Sequence, residues 1–568
     1  MTSSNSLGAG SLLLSAEEAS SWLTKSRNWP SHRLSEIELC DLGLLLNGGF
    51  SPLTGFLNKE DTESVLAEMR LKNGQLWPMP INLELDEKTA LAAEKAGYLA
   101  LRDVEGTVLA VLEVQDVWPL DSRAMAEGLF GHCDEAHPTV ARLLASEATH
   151  LAGGKLHGLQ MPRQYLYPQL HHSPAELRAL FEQKGWKKVV AFQTRNPMHR
   201  AHFEITKLAA ESVGAKVLLH PVVGVTRPGD VPAVVRVRCY EELLPHYGED
   251  GAALSLLSLA MRMAGPREAL WHSLIRRNFG ATHFIIGRDH AGPGMNSQGK
   301  PFHGPYDAQE LVEKYSDEIG LTVVPLQMVV YDPEKDAYVT QDKASESSKS
   351  YQLSGTELRR RLNEGEEIPE WFTFPEVARI LRRAYPPRAE QGFTVFFTGL
   401  SASGKSTLAQ ALMARLQIDT GRDVTLLDGD VVRTNLSSEL GFSKEHRDLN
   451  ITRIGYVASE ITRHGGIALC APIAPYDRAR KNVRELVEAR GGFALVHVST
   501  PLQECERRDP KGLYAKARAG IVKGFTGIDD PYEIPEDAEL EIDTTSIEPD
   551  EAAERILEHL KAEGYLSR

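Results

Sequence analysis

Short apolar runs separated by polar, turn-forming segments mark roughly the first 160 residues of the chain. Asn47-Gly48-Gly49 and Asn73-Gly74 have the composition of turns, and Leu109–Val114 has that of a strand. From Trp186 onward the pattern changes, and short apolar strands alternate with helical stretches. This succession predicts a multidomain α/β protein whose N-terminal region is rich in β structure.

Two series of alternating strands and helices predict two parallel sheets. In the first series, Val189–Phe192, Val217–Val222 and Phe284–Gly287 are expected strands, and a helix is expected through Ile205–Ala210. The second series begins at the apolar run Thr394–Phe397. Ligands of such sheets bind at the carboxyl ends of the strands, so candidate chemistry is expected just after each run.

Composition shifts divide the chain into four predicted domains. We place them at 1–165, 166–330, 331–389 and 390–568. The third contains a polar, serine-rich loop at 344–350, and Pro386-Pro387-Arg388 is a candidate linker to the fourth. Four domains fit the length of 568 residues, because domains typically contain about 100–200 residues.

Charge and cysteine content exclude several classes of function. The formal net charge of −15 argues against a broad surface for nucleic acid or anionic membrane, so anions must be bound in local basic or amide-rich pockets. The five cysteines are scattered without a C-x-x-C pair, which disfavours a disulfide framework or structural metal and favours a cytoplasmic location. No run of about 18 uncharged apolar residues occurs, so no membrane span is expected.

A phosphate-binding loop follows the strand at 394–397. Gly399–Ser406 fits G-x-x-x-x-G-K-[ST] between a strand and a helix, which disfavours the alternative of a chance glycine-rich turn. Lys405 is expected to contact the β- and γ-phosphates, and Ser406 is expected to bind Mg²⁺. The residues expected to bind ATP here are Gly399, Leu400, Ser401, Ala402, Ser403, Gly404, Lys405, Ser406 and Thr407.

Two carboxylates end the next strand, at Asp428-Gly429-Asp430. Carboxylates beside a phosphate-binding loop can order Mg²⁺ or accept a proton from an attacking hydroxyl. A plain acidic turn is the alternative, but the position one strand and helix after the loop favours function. Both carboxylates are therefore candidate functional residues, and Asp428 is a candidate ligand of Mg²⁺ together with Ser406.

The C-terminal region resembles the adenylylsulfate (APS) kinase family from residue 390 to 568. The matching segments are Leu427–Arg433, Gly441–Asn450, Lys511–Tyr514 and Gly524–Glu533. The resemblance implies that Asp430 activates the ribose 3′-hydroxyl of APS. It also implies that Phe442 and Phe525 enclose the adenine, although ordinary core packing is their alternative. The other positions implied to contact APS are Arg433, Arg447, Asn450, Ile473, Ala474, Lys511 and Gly524.

Ala474 departs from the pattern of that family. Many relatives carry a serine here that has been proposed to form a phosphorylated intermediate, and an alanine cannot carry phosphate. We therefore predict direct in-line transfer from ATP to APS.

A second candidate site begins at Gln193–His202, directly after a predicted strand. His199 and His202 are three residues apart, so at the start of a helix they share one face. With Arg195 nearby, the pair is suited to triphosphate oxygens, whereas a buried capping histidine is the alternative for either one alone. Metal binding would need a third ligand, and none is evident.

The region 1–385 resembles the ATP sulfurylase family. The segments that carry the resemblance are Gln193–His202, Gly287–Gly294, Cys40–Gly55 and Leu353–Leu362. The resemblance implies a PUA-like N-terminal domain, a Rossmann-like nucleotidylyltransferase domain and a small α/β domain, ahead of the P-loop kinase domain. It implies sulfate attack on the α-phosphorus of ATP to give APS and pyrophosphate, or the reverse.

The resemblance assigns roles residue by residue. Gln193, Arg195 and Ala291 fall on sulfate-contacting positions. Thr194, Arg195 and Asn196 fall on catalytic positions, and His199 and His202 on positions that steady pyrophosphate. The implied nucleotide-binding residues are Gly287, Arg288, Asp289, His290 and Val329.

Six positions around this site differ from the family pattern. They are Phe203, Arg227, Val234, Val235, Ser258 and Leu326. Arginine and lysine differ in reach and fork geometry, so Arg227 is not equivalent to the usual lysine. An active sulfurylase, a weakened one and an inactive scaffold or oligomerisation module all stay open.

A further alternative reverses the roles of the two halves. Fungal sulfurylases share this domain order, but their C-terminal domain is a regulatory binder with an eroded phosphate loop. Lys405, Ser406 and Asp430 are all present here, which favours a working kinase. A homo-oligomer acting on ATP, APS, sulfate and pyrophosphate is expected, without nucleic acid or membrane.

Overall fold

The computed structural model describes residues 10–227, 229–325, 329–351 and 353–567, which form two compact units. The first unit extends to Leu353 and also includes Ile368–Leu381, whereas the second comprises Ser354–Glu367 and the chain from Arg382 onward. The predicted small domain at 331–389 therefore contributes to both units, and its boundaries stay a prediction. None of the helices described is long and apolar enough to cross a membrane.

A six-stranded sheet forms the N-terminal part of the first unit. Its elements are α1 (Ala16–Ser26), β1 (Ser31–Arg33), α2 (Glu36–Leu46), β2 (Gly55–Phe56), α3 (Lys59–Glu68), β3 (Leu83–Leu85), α4 (Glu87–Ala96), β4 (Tyr98–Arg102), β5 (Val108–Pro119), α5 (Ser122–Phe130), α6 (Pro138–Leu144) and β6 (His150–Gly158). The strand order is β1-β4-β5-β6-β2, with β3 also paired to β6. The predicted strand Leu109–Val114 lies within β5, and six helices accompany the sheet.

A five-stranded parallel sheet forms the second part of this unit. Its elements are α7 (Pro174–Gln183), β7 (Val189–Phe192), α8 (Arg200–Val213), β8 (Lys216–Leu219), α9 (Ala233–Leu243), β9 (Ala252–Leu254), α10 (Gly265–Asn278), β10 (His283–Ile286), α11 (Asp307–Ile319) and β11 (Thr322–Pro325). The order is β11-β10-β7-β8-β9, which confirms the predicted parallel sheet. Strand β8 ends before Pro221, which has no N–H to donate to a neighbouring strand.

Short elements follow this sheet. They are β12 (Val329–Asp332), β13 (Ala337–Thr340), α12 (Gly355–Glu364) and α13 (Pro375–Ala384). Strands β12 and β13 pair as an antiparallel hairpin. Within the first unit, Phe372 accepts a hydrogen bond from the backbone N–H of Arg200 (3.1 Å), which attaches the loop before α13 to the start of α8.

The second unit contains another five-stranded parallel sheet. Its remaining elements are β14 (Phe393–Thr398), α14 (Lys405–Thr420), β15 (Val424–Asp428), α15 (Gly429–Asn435), α16 (Lys444–Arg463), β16 (Ile467–Ala471), α17 (Asp477–Glu488), β17 (Gly492–Val498), α18 (Leu502–Arg508), α19 (Leu513–Arg518), β18 (Leu540–Ile542) and α20 (Pro549–Ala562). The order β15-β16-β14-β17-β18 places β14 at the centre, where every one of its residues is buried. Burial on both faces explains why this strand is almost continuously apolar.

Candidate active sites

The loop from Gly399 to Ser406 joins the central strand β14 to the N-terminus of α14. Three of its residues adopt positive φ angles: Gly399 (152°), Ala402 (60°) and Gly404 (100°). Glycine tolerates such angles without steric cost, whereas Ala402 adopts the left-handed conformation at some cost in strain. The loop thus has the tight winding that lets backbone N–H groups converge on a phosphate.

Lys405 is folded into this loop. Its Nζ donates hydrogen bonds to the carbonyl oxygens of Gly399 (3.0 Å) and Leu400 (2.6 Å), and the side chain is buried. Burial lowers the pKa of Lys405 to about 8. A buried ammonium with neutral partners is a favourable neighbour for the oxygens of a nucleotide phosphate.

The predicted metal-binding pair is brought together at the end of β15. Ser406 Oγ donates to Asp428 Oδ2 over 2.6 Å, and Asp428 Oδ1 accepts the backbone N–H of Asp430 over 3.0 Å. A hydroxyl and a carboxylate beside a phosphate site are the ligands that Mg²⁺ uses there, completed by water and phosphate oxygens. Asp428 also caps α15, so its orientation is set by the fold.

Asp430 lies one residue inside α15 with an exposed side chain, and it forms an ion pair with Lys511. The structure therefore places the candidate base beside a residue expected to bind APS. An exposed carboxylate at the mouth of a phosphate-binding loop is accessible to a substrate hydroxyl.

Arg447 is held by the segment 524–530. Its guanidinium donates to Asp530 Oδ2 (2.6 Å), to Thr526 Oγ1 (2.8 Å) and to the carbonyl of Gly524. Tyr476 Oη also donates to Asp530 Oδ2 over 2.9 Å. Sequence reasoning named Arg447 and Gly524 but missed Asp530 and Tyr476. Arg447 and Tyr476 both donate hydrogen bonds to Asp530.

The two candidate adenine-binding aromatics differ in their surroundings. Phe442 is 70% exposed and lies under the guanidinium of Arg433, whose central carbon is 4.5 Å from the ring centroid. Such exposure disfavours core packing for Phe442. Phe525 is half-buried and packs edge-on against Tyr514, with the ring centroids 5.0 Å apart.

Three further predicted residues are Ile473 and Ala474, which follow β16, and Asn450, which lies in α16. The carbonyl of Ile473 accepts from Thr398 Oγ1 (2.7 Å), and that of Ala474 accepts from Arg480 (2.8 Å). Ala474 has a positive φ of 47° and a side chain that is only 1% exposed. Asn450 is also buried, and its amide oxygen has no hydrogen-bond partner among the residues described.

In the first unit, the segment after β7 forms the second candidate site. Thr194 Oγ1 accepts from the backbone N–H of Asn196 over 3.0 Å, and Tyr240 Oη donates to the Asn196 carbonyl over 2.7 Å. Arg195 forms an ion pair with Asp230, which also accepts the backbone N–H of Arg227 over 3.1 Å. Neither Asp230 nor Tyr240 was predicted, because both come from a distant part of the chain.

His199 and His202 begin α8 as the sequence predicts. His202 Nδ1 accepts the backbone N–H of His199 over 3.2 Å, and Thr373 Oγ1 lies 3.0 Å from His199 Nδ1. Burial lowers the pKa of His199 to about 3 and that of His202 to about 4. Both rings are therefore neutral near pH 7, so they would contact phosphate oxygens through N–H groups and not as cations.

The neutral histidines make the first unit sensitive to acid. We expect its free energy of unfolding to fall by about 1–2 kcal/mol for each of His199 and His202 between about pH 7 and pH 5. The sign follows because the unfolded rings bind protons below about pH 6.5, whereas the folded rings bind them only near pH 3 to 4.

Tryptophan fluorescence during urea unfolding measures this loss, because all seven tryptophans lie in the first unit. A His202→Gln variant should show a smaller change in unfolding free energy over the same pH interval. An equal change in variant and parent would contradict the assignment.

The second sulfurylase-like motif follows β10, which pairs in parallel with β7. Gly287 begins the turn, and Asp289 (φ 52°) and Ala291 (φ 53°) adopt left-handed conformations. Burial raises the pKa of Asp289, and the positive charges of Arg288 and Arg195 act in the opposite direction. The carboxyl ends of these two neighbouring strands thus bring both motifs to one edge of the sheet.

The remaining members of the predicted set differ in burial and in hydrogen bonding. Gln193 has a buried amide oxygen without a partner among the residues described, and Arg288 is exposed. Val329 is buried in β12. The ring of His290 lies 3.0 Å from that of His272.

The departures from the family pattern lie mostly in packing positions. Phe203 is buried against Tyr247 and Phe374, with ring centroids 4.7 and 5.5 Å away, so it is a core residue of the first unit. Ser258 hydrogen-bonds with His171 over 3.2 Å. Val234 and Val235 lie on α9 and are partly buried, Arg227 is exposed, and Leu326 lies outside the described residues.

Family models match three consecutive parts of the chain. Residues 9–161 match the PUA-like domain, residues 168–384 match ATP-sulfurylase and residues 391–543 match adenylylsulphate kinase.

Similar proteins cover almost the whole chain. A sulfate adenylyltransferase of Phaeosphaeria nodorum is 52% identical over 542 residues, which is 95% of this chain and 94% of the relative. Another from Chaetomium globosum is 52% identical and covers 96% of each chain. The solved structure of a hexameric APS kinase from Thiobacillus denitrificans is 38% identical, covers 98% of each chain and has a TM-score of 0.80.

Proposed function

The chain belongs to the sulfate adenylyltransferase family, with an ATP sulfurylase domain fused to an APS kinase domain, and on this basis we propose how each site works. The kinase site transfers the γ-phosphate of ATP to the 3′-hydroxyl of APS, which yields PAPS and ADP. The observation that supports this most directly is the hydrogen bond between Ser406 and Asp428 at the carboxyl end of β15. Lys405 and Asp430 are the neighbours of this pair along the chain.

In the proposed reaction, Asp430 accepts the proton of the 3′-hydroxyl as its oxygen forms a bond to the γ-phosphorus. The bond from that phosphorus to the bridging oxygen of ADP breaks in the same step. Lys405 and the backbone N–H groups of Gly399–Thr407 neutralise the phosphate charge. Ser406 and Asp428 would hold Mg²⁺, which supplies further charge neutralisation when bound.

The proposed APS pocket lies on the other side of the transferred phosphate. Phe442 and Phe525 enclose the adenine, and Arg433 already lies over the face of Phe442. Guanidinium forks suit the oxygens of the phosphosulfate. The residues proposed to bind APS are Arg433, Phe442, Arg447, Asn450, Ile473, Ala474, Lys511, Gly524 and Phe525.

We predict that the phosphate moves directly from ATP to APS, with inversion of configuration at phosphorus. Ala474 has no hydroxyl, and its side chain is 1% exposed, so it offers no acceptor for a covalent intermediate. ATP with an isotopically chiral γ-phosphate measures the outcome. Retention of configuration would require two transfers and would contradict the direct mechanism.

We further propose that the first unit catalyses ATP plus sulfate to APS plus pyrophosphate, and its reverse. Thr194, Arg195 and Asn196 act at the α-phosphate, and Gln193, Arg195 and Ala291 contact sulfate. His199 and His202 donate hydrogen bonds to pyrophosphate, and Gly287, Arg288, Asp289, His290 and Val329 bind the nucleotide. Support comes from the two motifs on the adjacent strands β7 and β10, and from the core position of Phe203.

An inactive scaffold is the second candidate for the first unit, because Arg227 replaces the usual lysine. One preparation assayed for both half-reactions decides between the candidates. APS-dependent formation of ADP measures the kinase, and formation of ATP from APS and pyrophosphate measures the sulfurylase. If no APS-dependent ADP forms, the kinase proposal is refuted. If ADP forms but no ATP is made from APS and pyrophosphate, the first unit is an inactive scaffold.

The domain boundaries at 165, 330 and 389, a cytoplasmic location and a homo-oligomer belong to the same proposal. The family models end or begin near 165 and 389, whereas the proposed boundary at 330 lies inside the ATP-sulfurylase match and rests on the sequence pattern alone. The similar APS kinase from Thiobacillus denitrificans is hexameric, which supports an oligomer here.

A further inference from the structure

Three side chains connect the nucleotide-binding motif of the first unit to helix α10. His290 Nε2 lies 3.0 Å from His272 Nδ1, and His272 Nε2 lies 3.2 Å from Glu268 Oε1. Glu268 and His272 are completely buried, whereas His290 is partly exposed. We call Glu268, His272 and His290 the relay.

The inner end of the relay is a carboxylate. Glu268 Oε1 accepts the backbone N–H of Arg262 (3.0 Å), and Oε2 accepts that of Ala264 (2.8 Å). Burial holds the pKa of Glu268 above its usual value; the two N–H groups and the Arg262 guanidinium act in the opposite direction and stabilise the carboxylate form. Burial lowers the pKa of Arg276, on the same helix, to about 9, and the negative charge of Glu268 acts in the opposite direction by stabilising the charged guanidinium. We therefore treat Glu268 as ionised.

Each histidine of the relay carries a single proton. Burial lowers the pKa of His272 well below its usual range and that of His290 to about 3. His272 Nε2 faces the carboxylate at 3.2 Å, although the N–H is not aligned as in a strong hydrogen bond. A lone pair facing a carboxylate at this distance would be repulsive, so the proton of His272 is on Nε2.

The remaining proton positions follow in sequence. His272 Nδ1 then carries a lone pair and can only accept a hydrogen bond. His290 Nε2, the nitrogen that lies next to it, must therefore carry the proton and donate. His290 is left with a lone pair on Nδ1, which has no hydrogen-bond partner among the residues described. A phosphate oxygen near neutral pH offers lone pairs too, so it is a poor partner for this nitrogen.

We propose that Glu268 and His272 are positioning residues that fix the tautomer of His290, so that His290 accepts a hydrogen bond from the nucleoside half of ATP. This inference rests on the nucleotide site proposed above. The donor is either a ribose hydroxyl or the amine of adenine. His290 thereby differs in kind from His199 and His202, which contact phosphate oxygens through N–H groups.

Nucleotide analogues test the proposal in the full chain. Pyrophosphate release with sulfate is measured for ATP, 2′-deoxy-ATP, 3′-deoxy-ATP and the triphosphate of purine riboside, which lacks the amine. The kinase reaction releases no pyrophosphate, so it does not interfere. In the parent protein, kcat/KM should fall about 10-fold for the analogue that lacks the recognised donor.

His272→Phe removes the acceptor that orders His290, and it retains an aromatic ring. In this variant we expect kcat/KM for ATP to fall about 10-fold. The ratio of kcat/KM for ATP to kcat/KM for the analogue that lacks the recognised donor should fall from about 10 to about 3 or less. Ser273→Ala, a buried change on the same helix, should keep the full preference. Structural damage alone would lower kcat/KM for all four nucleotides and leave their ratios unchanged, which would overturn the proposal. So would a parent protein that does not discriminate among them.

The tautomer can also be observed without turnover. In protein labelled with ¹⁵N-histidine, the resonances of His290 are identified by their loss in His290→Asn. We expect an unprotonated Nδ1 and a protonated Nε2, and a loss of that preference in His272→Phe. A proton on Nδ1 of His290 instead of Nε2 would overturn the proposal that Glu268 and His272 fix its tautomer. Absence of pyrophosphate release with the expected tautomer would refute the sulfurylase proposal and leave the relay intact.

Discussion

The Asp430→Asn variant should lose about 100- to 10,000-fold in kinase turnover, because asparagine cannot accept the proton of the 3′-hydroxyl. Its affinity for a non-hydrolysable ATP analogue should change little, since Lys405 donates its hydrogen bonds to the carbonyls of Gly399 and Leu400 and the loop conformation does not depend on Asp430 for them. APS-dependent ADP formation measures the turnover. The matched control is Asp423→Asn, which makes the same substitution at an exposed position just before strand β15.

A companion variant separates the two members of the exposed ion pair. Lys511→Ala removes the partner of Asp430 but leaves the carboxylate in place. We expect this change to raise KM for APS more than it lowers kcat, because Lys511 is assigned to substrate binding. Turnover of Asp430→Asn within about 3-fold of the parent would remove Asp430 from the role of base.

Arg195→Ala should lower the formation of ATP from APS and pyrophosphate by about 100- to 1,000-fold, which corresponds to loss of a charged contact in the transition state. The kinase half-reaction of the same preparation should be unchanged, and it serves as the internal control for folding. The ion pair with Asp230 raises the alternative that Arg195 only stabilises the loop around Arg227.

Asp230→Asn distinguishes these two roles of Arg195. It weakens the ion pair and leaves the guanidinium available for an anion. If Arg195 acts on substrate, Asp230→Asn keeps most of the activity that Arg195→Ala loses. If both variants lose activity equally, the arginine acts through the ion pair, and its proposed contact with sulfate is wrong.

The two parallel sheets and the loops after their strands were predictable from sequence. Apolar runs such as Val189–Phe192 and Phe393–Thr398 are buried on both faces, so their pattern is unambiguous. The motifs that follow these strands, such as Gly399–Ser406, consist of residues that are close together in the sequence. Local patterns of this kind can be recognised without knowledge of the tertiary structure.

Other features depended on contacts between distant parts of the chain. Thr373 reaches His199 across 174 residues, and Asp230 reaches Arg195 across 35. No local pattern marks such partners. Phe203 looked like a change in the active site because of its neighbour His202, but its side chain lies on the buried face of α8.

The helices of the N-terminal region carried a signal that hydrophobic periodicity alone does not use. Helices α1 and α2 each begin with a capping box, formed by Ser15 with Glu18 and by Ser35 with Glu38. A serine followed three residues later by a glutamate is visible in the sequence, so these two helix starts could have been found.

The buried ammonium of Lys405 couples nucleotide binding to proton uptake. Its pKa of about 8 means that a sizeable fraction of the side chain is neutral in mildly alkaline solution. A bound triphosphate favours the charged form, so each binding event draws a fraction of a proton from the buffer. The affinity of the kinase site for ATP should therefore decline as the solution becomes more alkaline.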